Sequence, residues 1–269
     1  MKKLLRIFGL QRWIRLGLRY RLILPRPFQD IGFTVPFFGY EYSGTLNDYI
    51  DRYVYFFGAY EREELALLEK YIKGTVIDIG ANTGHHSLYF SRFADRVYSF
   101  EPYKKVFDVL NKRLTDNKVA NVQAFNFGLG NKDEFLDFYA PFNNNEGVGS
   151  FIPDGRKTKV GTLEIKRGDS FLSANVKEKI GFIKIDVEGF EIEVLEGLSD
   201  TISKHRPVLF VEMSPESQKR IPKLENYSLF RVDANHPFLM FFNIPGGRKI
   251  PFTPMQTTEN ILFVPNEKV

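Results

Sequence analysis

The residues best suited to chemistry are Asp78, Gly80, Asn82 and Gly84, within the run Val76-Ile-Asp-Ile-Gly-Ala-Asn-Thr-Gly84. Glycines let backbone come close to a ligand, and Asp78 sets a carboxylate just ahead of them. A dinucleotide turn has the spacing G-x-G-x-x-G, whose second glycine makes room for a pyrophosphate. Here the spacing is Gly80-x-x-x-Gly84. A carboxylate at the turn disfavours an anionic ligand and suits an ammonium or sulfonium. On charge the turn leans toward S-adenosylmethionine (SAM).

A second acid, Glu101, ends the apolar run Val97-Tyr-Ser-Phe, 23 residues past Asp78. An acid at the end of the second strand of a βαβ unit, about 20 residues past the glycine turn, is placed to accept both ribose hydroxyls. Taken singly, Asp78 or Glu101 reads as well as a helix cap or a solvated strand end; the order and spacing of the pair favour a ligand site.

A third cluster lies in Phe182-Ile-Lys-Ile-Asp186-Val-Glu188-Gly189-Phe190-Glu191. Asp186 and Glu188 are two apart, so in extended chain they share one face. Gly189 permits a tight exit, and Glu191 and Glu193 favour a helix N-terminus. A carboxylate beside an alcohol can take its proton, which makes Asp186 or Glu188 a candidate base. The structural alternative is capping plus a pair to Lys184. Glu212, ending Val208-Leu-Phe-Val, adds a third acid to the same rim. With it, Asp186 or Glu188 offers the hard oxygen ligands that suit Mg²⁺. Asn126, Phe127 and Gly128 end another strand where an adenine ring can sit, although a buried strand end explains Phe127 equally.

These residues need elements to position them. Thr75 to Ile79 is short, apolar and β-branched, as in a strand buried on both faces of a parallel sheet. A helix is expected over 84–93, with Thr83 as its cap. Further helices are expected over 48–57, 60–73, 103–117 and 190–198, and strands over 121–127, 182–187 and 206–212. The alternation predicts five parallel strands in a Rossmann-like, doubly wound α/β core, with ligands at the carboxyl ends of the strands. A long insert between the third and fourth core strands carries Asn143-Asn-Asn-Glu-Gly147-Val-Gly149-Ser150, either a loop at the cleft mouth or a solvated turn between hairpin strands. His85 and His86 suit a backbone contact to cofactor better than imidazole catalysis. Phe238 to Phe242 reads as a core or hairpin strand, or as a lining for an acceptor or lipid.

Composition narrows the classes. The 269 residues include no cysteine, which excludes disulfides, thiolate metal sites and cysteine nucleophiles and suits a reducing cytosol. The four histidines lack H-E-x-x-H spacing, so no zinc site is assigned. The formal charge of +4 is uneven: residues 1–30 hold eight Lys or Arg against Asp30 alone, leaving 29 basic and 32 acidic residues elsewhere. On a helical projection Ile7, Leu10, Ile14 and Leu18 share one face and Arg12, Arg15 and Arg19 another. Such an arm either packs on its own domain or lies in a membrane interface through residues 1–25. Its arginines interrupt every apolar run short of a membrane span, and it lacks the h-region of a signal peptide. No basic surface for nucleic acid is visible beyond the arm. The expected organisation is a basic arm over 1–30, an aromatic cap segment over 31–73 and one domain over 74–269, in the cytoplasm or at the inner membrane surface.

Over roughly residues 58–264 the chain resembles the FkbM family of SAM-dependent methyltransferases. The likeness rests on Asp78-Ile-Gly-Ala-Asn-Thr-Gly84, Phe100-Glu-Pro102, Ile183-Lys-Ile-Asp-Val-Glu-Gly-Phe-Glu191, Arg206-Pro207, Glu212 and Asn260-Ile-Leu-Phe263. The Lys-Ile-Asp-Val-Glu-Gly-x-Glu run is the specific element. The resemblance implies a class I methyltransferase fold of seven strands, the last antiparallel, and O-methylation of a hydroxyl on a sugar, glycan, polyketide or related metabolite. It implies a SAM loop of Asp78, Gly80, Ala81, Asn82 and Gly84, a ribose contact at Glu101, and Asp186 at the methionine end. It also places an Asn/Gly/Ser-rich element beside the acceptor. Two alternatives from other classes are an NAD(P)-dependent oxidoreductase on the same sheet and a non-catalytic peripheral membrane module led by the arm.

Overall fold

The computed structural model describes residues 31–141, 149, 151, 157–233 and 247–269. The basic arm, most of the Asn/Gly-rich loop and Phe238 to Phe242 lie outside the described residues. The chain divides into two units, residues 1–67 with 234–247 and residues 68–233 with 248–269.

In the first unit, the aromatic segment is an antiparallel hairpin of β1 (Gly32–Phe37) and β2 (Tyr40–Thr45), followed by helix α1 (Tyr49–Phe57). Asp48 caps α1 by accepting from the Asp51 amide, and Gly58 closes it at φ 89°. Asp51 is buried because its carboxylate receives both the Tyr42 hydroxyl and the Thr45 amide, each at 2.8 Å. Helix α2 (Arg62–Leu68) is shorter than its expected span of 60–73. The amides of Tyr71 and Ile72 both turn back to the Leu68 carbonyl and end it.

The second unit is built on an eight-stranded sheet. Its strands are β3 (Thr75–Ile79), β4 (Arg96–Phe100), β5 (Val122–Phe125), β9 (Ile180–Ile185), β10 (Val208–Met213), β11 (Tyr227–Asp233), β12 (Arg248–Pro251) and β13 (Glu259–Pro265). The order is β12-β11-β13-β10-β9-β3-β4-β5. β5, β4, β3, β9 and β10 are parallel, the five expected, and β13 enters antiparallel between β10 and β11. That is the seven-strand class I methyltransferase order. The eighth strand, β12, extends the edge through β11; four residues ending in proline carry too little pattern to announce a strand.

β3 and β9 are central, which is why Thr75-Val-Ile-Asp-Ile is buried at every position. Helices α3 (His85–Phe90) and α4 (Lys104–Asp116) complete the first crossovers. α3 is shorter than its expected span of 84–93, because Arg92 and Phe93 close three-residue turns onto Tyr89 and Phe90. α4 buries Val106, Leu110, Arg113 and Leu114 along one stripe.

Between β5 and β9 the long insert forms its own three-stranded sheet of β6 (Gly128–Gly130), β7 (Glu134–Pro141) and β8 (Lys157–Arg167). β7 and β8 make an antiparallel hairpin, and α5 (Gly168–Asn175) returns the chain to the core. α6 (Glu191–Gly197) and α7 (Ser199–His205) then link β9 to β10, and the short α8 (Pro215–Gln218) follows β10. The core between these layers includes Ile77, Ile79, Ile183, Ile185, Leu209 and Val211. No helix among the described residues is long and apolar enough to cross a membrane.

Candidate active site

The glycine turn leaves β3 at the centre of the sheet, at the carboxyl ends of the strands where open α/β sheets bind their ligands. Gly80 has φ 73°, and a Cβ there would stand 1.7 Å from the Asp186 carbonyl oxygen. Only glycine lets the β3 and β9 exits cross so closely. Gly84 has φ 84°, with a built Cβ 2.4 Å from Leu110. Gly84 is itself the residue before α3, so Thr83 does not cap the helix as its position suggested. The Thr83 Oγ1 is buried without a hydrogen-bond partner among the described residues, and the Thr83 carbonyl accepts from the Arg113 guanidinium. The amides of Gly80 and Ala81 both donate to the Phe100 carbonyl at 3.0 Å, tying the turn to the end of β4.

Glu101 lies at that end, buried beneath the turn. Its two oxygens receive the amides of Tyr103 at 2.9 Å and Asn82 at 3.0 Å. Asn126 fixes the same corner, its side-chain amide donating to the carbonyls of Glu101 and Pro102 at 3.0 Å each. Burial pushes the Glu101 carboxyl up to about 7, against the two amides that favour its charged form. Each carboxylate oxygen keeps a lone pair free of these amides, so the residue can still accept hydroxyl donors.

Asp78 is fully buried. Ser87 donates its hydroxyl to Oδ2 at 2.6 Å, and Lys184 places its ammonium 3.6 Å from Oδ1. The Asp78 charge is thus answered inside the sheet, where Asp78 and Lys184 are paired across β3 and β9. This places Asp78 as the support of the turn, not as its exposed counter-charge.

The third cluster gathers as expected but by another route. β9 ends at Ile185, and Glu188 and Gly189 turn through φ 51° and 101°, so Asp186 and Glu188 are not successive positions of one extended face. The left-handed turn brings them together with Glu212, one carboxylate oxygen from each of the three lying within 4.8 Å of the other two. Burial opposes the Asp186 charge, but the Lys184 ammonium at 3.1 Å, a hydrogen bond with Glu212 and His86 outweigh it and hold its carboxyl below the usual range. A divalent cation fits between three carboxylates at this spacing; the Lys184 ammonium already beside Asp186 opposes one. Glu191 is structural, accepting from the Gly189 amide at 2.6 Å and the Ser217 hydroxyl at 2.7 Å. Glu193 pairs with Arg220 at 3.2 Å.

Phe127 is buried in a cluster of rings with Phe100, Phe125 and Phe171, and the Lys166 ammonium stands 4.3 Å over its face. A Cβ on Gly128 would stand 2.6 Å from Ile165, so that glycine serves strand packing. His85 and His86 are buried, and burial holds His85 well below its usual range, which keeps it neutral. Sequence reasoning missed the reach of Lys184 to Asp78, the role of Ser87, and Arg113 under the turn. A signal was present for two of these: Lys184 interrupts a buried isoleucine run, and Arg113 falls on the apolar stripe of α4.

The sheet order, the glycine turn after β3 and the acid ending β4 define a class I methyltransferase domain. Residues 78–232 match the methyltransferase FkbM domain. The chain belongs to the FkbM methyltransferase family. It is similar to methyltransferase 1 of Beauveria bassiana, 29% identical over 149 residues that cover 46% of this chain and 58% of that one. It is also similar to the hexuronic acid methyltransferase AglP of Haloferax volcanii, 27% identical over 159 residues, 59% of this chain and 64% of that one. The chain thus spans less than two thirds of the length of these curated relatives. An FkbM methyltransferase structure from Methylobacillus flagellatus aligns with 71% of this chain and 44% of its own at 18% identity, with a TM-score of 0.44.

Proposed function

We propose that this protein transfers a methyl group from SAM to a hydroxyl of a sugar, glycan or related metabolite. The observation that carries the reading is the meeting of the Gly80–Gly84 turn and Glu101 with the Asp186, Glu188 and Glu212 rim, at the ends of adjacent central strands. The buried, unpartnered Thr83 hydroxyl and the free lone pairs of Glu101 fit a polar ligand lying along the turn. Family membership supports methyl transfer over hydride transfer, and the hexuronic acid methyltransferase relative supports a sugar acceptor.

SAM supplies a methyl group already activated by its sulfonium. The chain's own work is then placement and proton handling. Glu101 accepts from the ribose hydroxyls and fixes the nucleoside against the turn. Alignment of the acceptor oxygen in line with the methyl carbon supplies much of the acceleration. As the methyl carbon passes from sulfur to the acceptor oxygen, with the neutral thioether S-adenosylhomocysteine as leaving group, Asp186 or Glu188 would take the acceptor's proton. Lys184 keeps Asp186 ionised and so competent to receive it. This reading needs no Mg²⁺. We place the activity in the cytosol, with the arm over residues 1–25 as a peripheral membrane contact.

Incubation with methyl-labelled SAM and a panel of hexuronate-containing glycans, neutral glycans and lipids tests the reading. Label in a base-stable ether on the hexuronate fraction is expected. Absence of SAM binding by calorimetry overturns it.

A further inference from the structure

At the opposite ends of the same central strands lies a second cavity, of about 630 Å³. Lys70, Lys73, Lys179, Lys249 and Lys268 line it, and among the described residues no acidic side chain does. Among the described residues that border it, five ammonium groups thus stand with no side-chain carboxylate to face them. Two features show how the cluster is built.

The first is backbone geometry. Lys73 and Lys179 precede β3 and β9, and the Thr75 amide donates to the Lys179 carbonyl at 3.4 Å. Gly74 has φ 67°, and a Cβ there would stand 3.3 Å from the Lys179 carbonyl oxygen; one on Gly181 would stand 2.1 Å from that of Lys73. The two glycines let the chains close up, which sets the two lysines side by side.

The second is missing compensation. Lys70 rests 4.8 Å over the Tyr71 ring, Lys249 rests 4.3 Å over Phe230, and the Lys268 ammonium donates to the Arg206 carbonyl at 2.6 Å. Rings and a carbonyl hold ammonium groups without neutralising them. Among the described residues none of the five lysines is in an ion pair, and Glu267, the acid beside Lys268, is engaged by Arg206 at 3.0 Å. Burial, followed by the charge of Lys179, lowers the affinity of Lys268 for its proton. Like charges held together around a concave space are stabilised by an anion that enters it.

We propose that this pocket binds a small anion carrying two or more phosphate charges, such as a diphosphate. Lysine ammonium groups are compact point charges suited to phosphate oxygens, and one monovalent carboxylate would leave most of them unanswered. The diphosphate is either a soluble compound or the headgroup of a lipid. Strands of five residues separate this pocket from the glycine turn by about 17 Å, so its occupant does not reach the methyl-transfer centre.

The test is calorimetric titration of the full chain with inorganic pyrophosphate at low salt, beside sulfate. Pyrophosphate is expected to bind more tightly than sulfate, and Lys73→Gln with Lys179→Gln to weaken it about tenfold or more, the loss of two partly screened contacts. SAM binding stays unchanged in that variant. Lys2→Gln with Lys3→Gln and Arg6→Gln, which removes charge from the basic arm, leaves pyrophosphate binding intact. If the first variant melts early, Lys70→Gln with Lys249→Gln gives the same readout. Cosedimentation with vesicles containing a polyprenyl diphosphate separates the sources: sedimentation lost with the pocket lysines assigns the headgroup, and sedimentation unchanged while pyrophosphate binding falls assigns the soluble compound. Pyrophosphate binding no tighter than sulfate, or equal binding by wild type and pocket variants, overturns the proposal.

Discussion

The Lys184 ammonium stands 3.1 Å from the Asp186 carboxylate, two residues further along the same chain, with its stem buried in the central strand. It also donates to the Gly80 carbonyl at 3.1 Å, so one cation joins the glycine turn to the acidic rim. Replacing it leaves Asp78 and Asp186 without their shared counter-charge. Lys184→Met is expected to cost about 3–5 kcal/mol of stability, the penalty for stripping one partner from a buried pair. Thermal melts check this, and Lys184→Met with Asp78→Asn is expected to recover part of the loss.

On the proposed function, Glu101 gives SAM binding a pH dependence. Its carboxyl titrates at about 7 in the unliganded chain, and ribose hydroxyls are better held by its charged form. SAM affinity therefore rises as pH climbs to about 7 and levels off above it. The same shift makes the unliganded fold lose stability between the ordinary value of 4.5 and about 7, because the folded state holds the extra proton there. Glu101→Gln flattens both profiles and weakens SAM. Calorimetry and melts across pH read the two effects.

Gly80→Ala puts a methyl group 1.7 Å from the Asp186 carbonyl oxygen at a φ of 73°. The β3 and β9 exits must part, and SAM binding is expected to fall below detection with a lowered melting temperature. Gly161→Ala, where nothing lies within 4 Å, is the matched control and is expected to be silent.

Asp186→Asn removes the carboxylate that Lys184 holds ionised, the proton acceptor in the proposed reaction. The expected result is a fall in kcat of about 10²–10⁴ with SAM affinity changed only a few-fold. Glu188→Gln, under the same assay, decides which of the two carboxylates takes the proton: the larger fall marks the base. Activity is expected to survive a chelator, and a loss restored by added Mg²⁺ would assign the acidic trio to a metal instead.

The central strands were readable because burial on both faces leaves a continuous apolar run, as in Thr75 to Ile79 and Phe182 to Ile185. The acids at their ends stand out against such runs. β12 was not readable, since edge pairing demands little of its four residues. The alternation argument for Asp186 and Glu188 reached the right neighbours through the wrong geometry: a left-handed turn at Glu188, which sequence rarely advertises outside glycine and asparagine, does the gathering. Asp78 shows the same gap from the other side. Its type and place were legible, but its partner Lys184 lies 106 residues away and is set by strand order alone.

The β7–β8 hairpin leaves the main sheet after β5 and rejoins it through α5, as a sheet of its own with β6. Its outer loop can change length or composition without shifting the register of any strand that carries Asp78, Glu101 or Asp186. The excursion and the central strands are therefore free to evolve at different rates, and transplanting the excursion between relatives leaves the frame that carries those three acids unchanged.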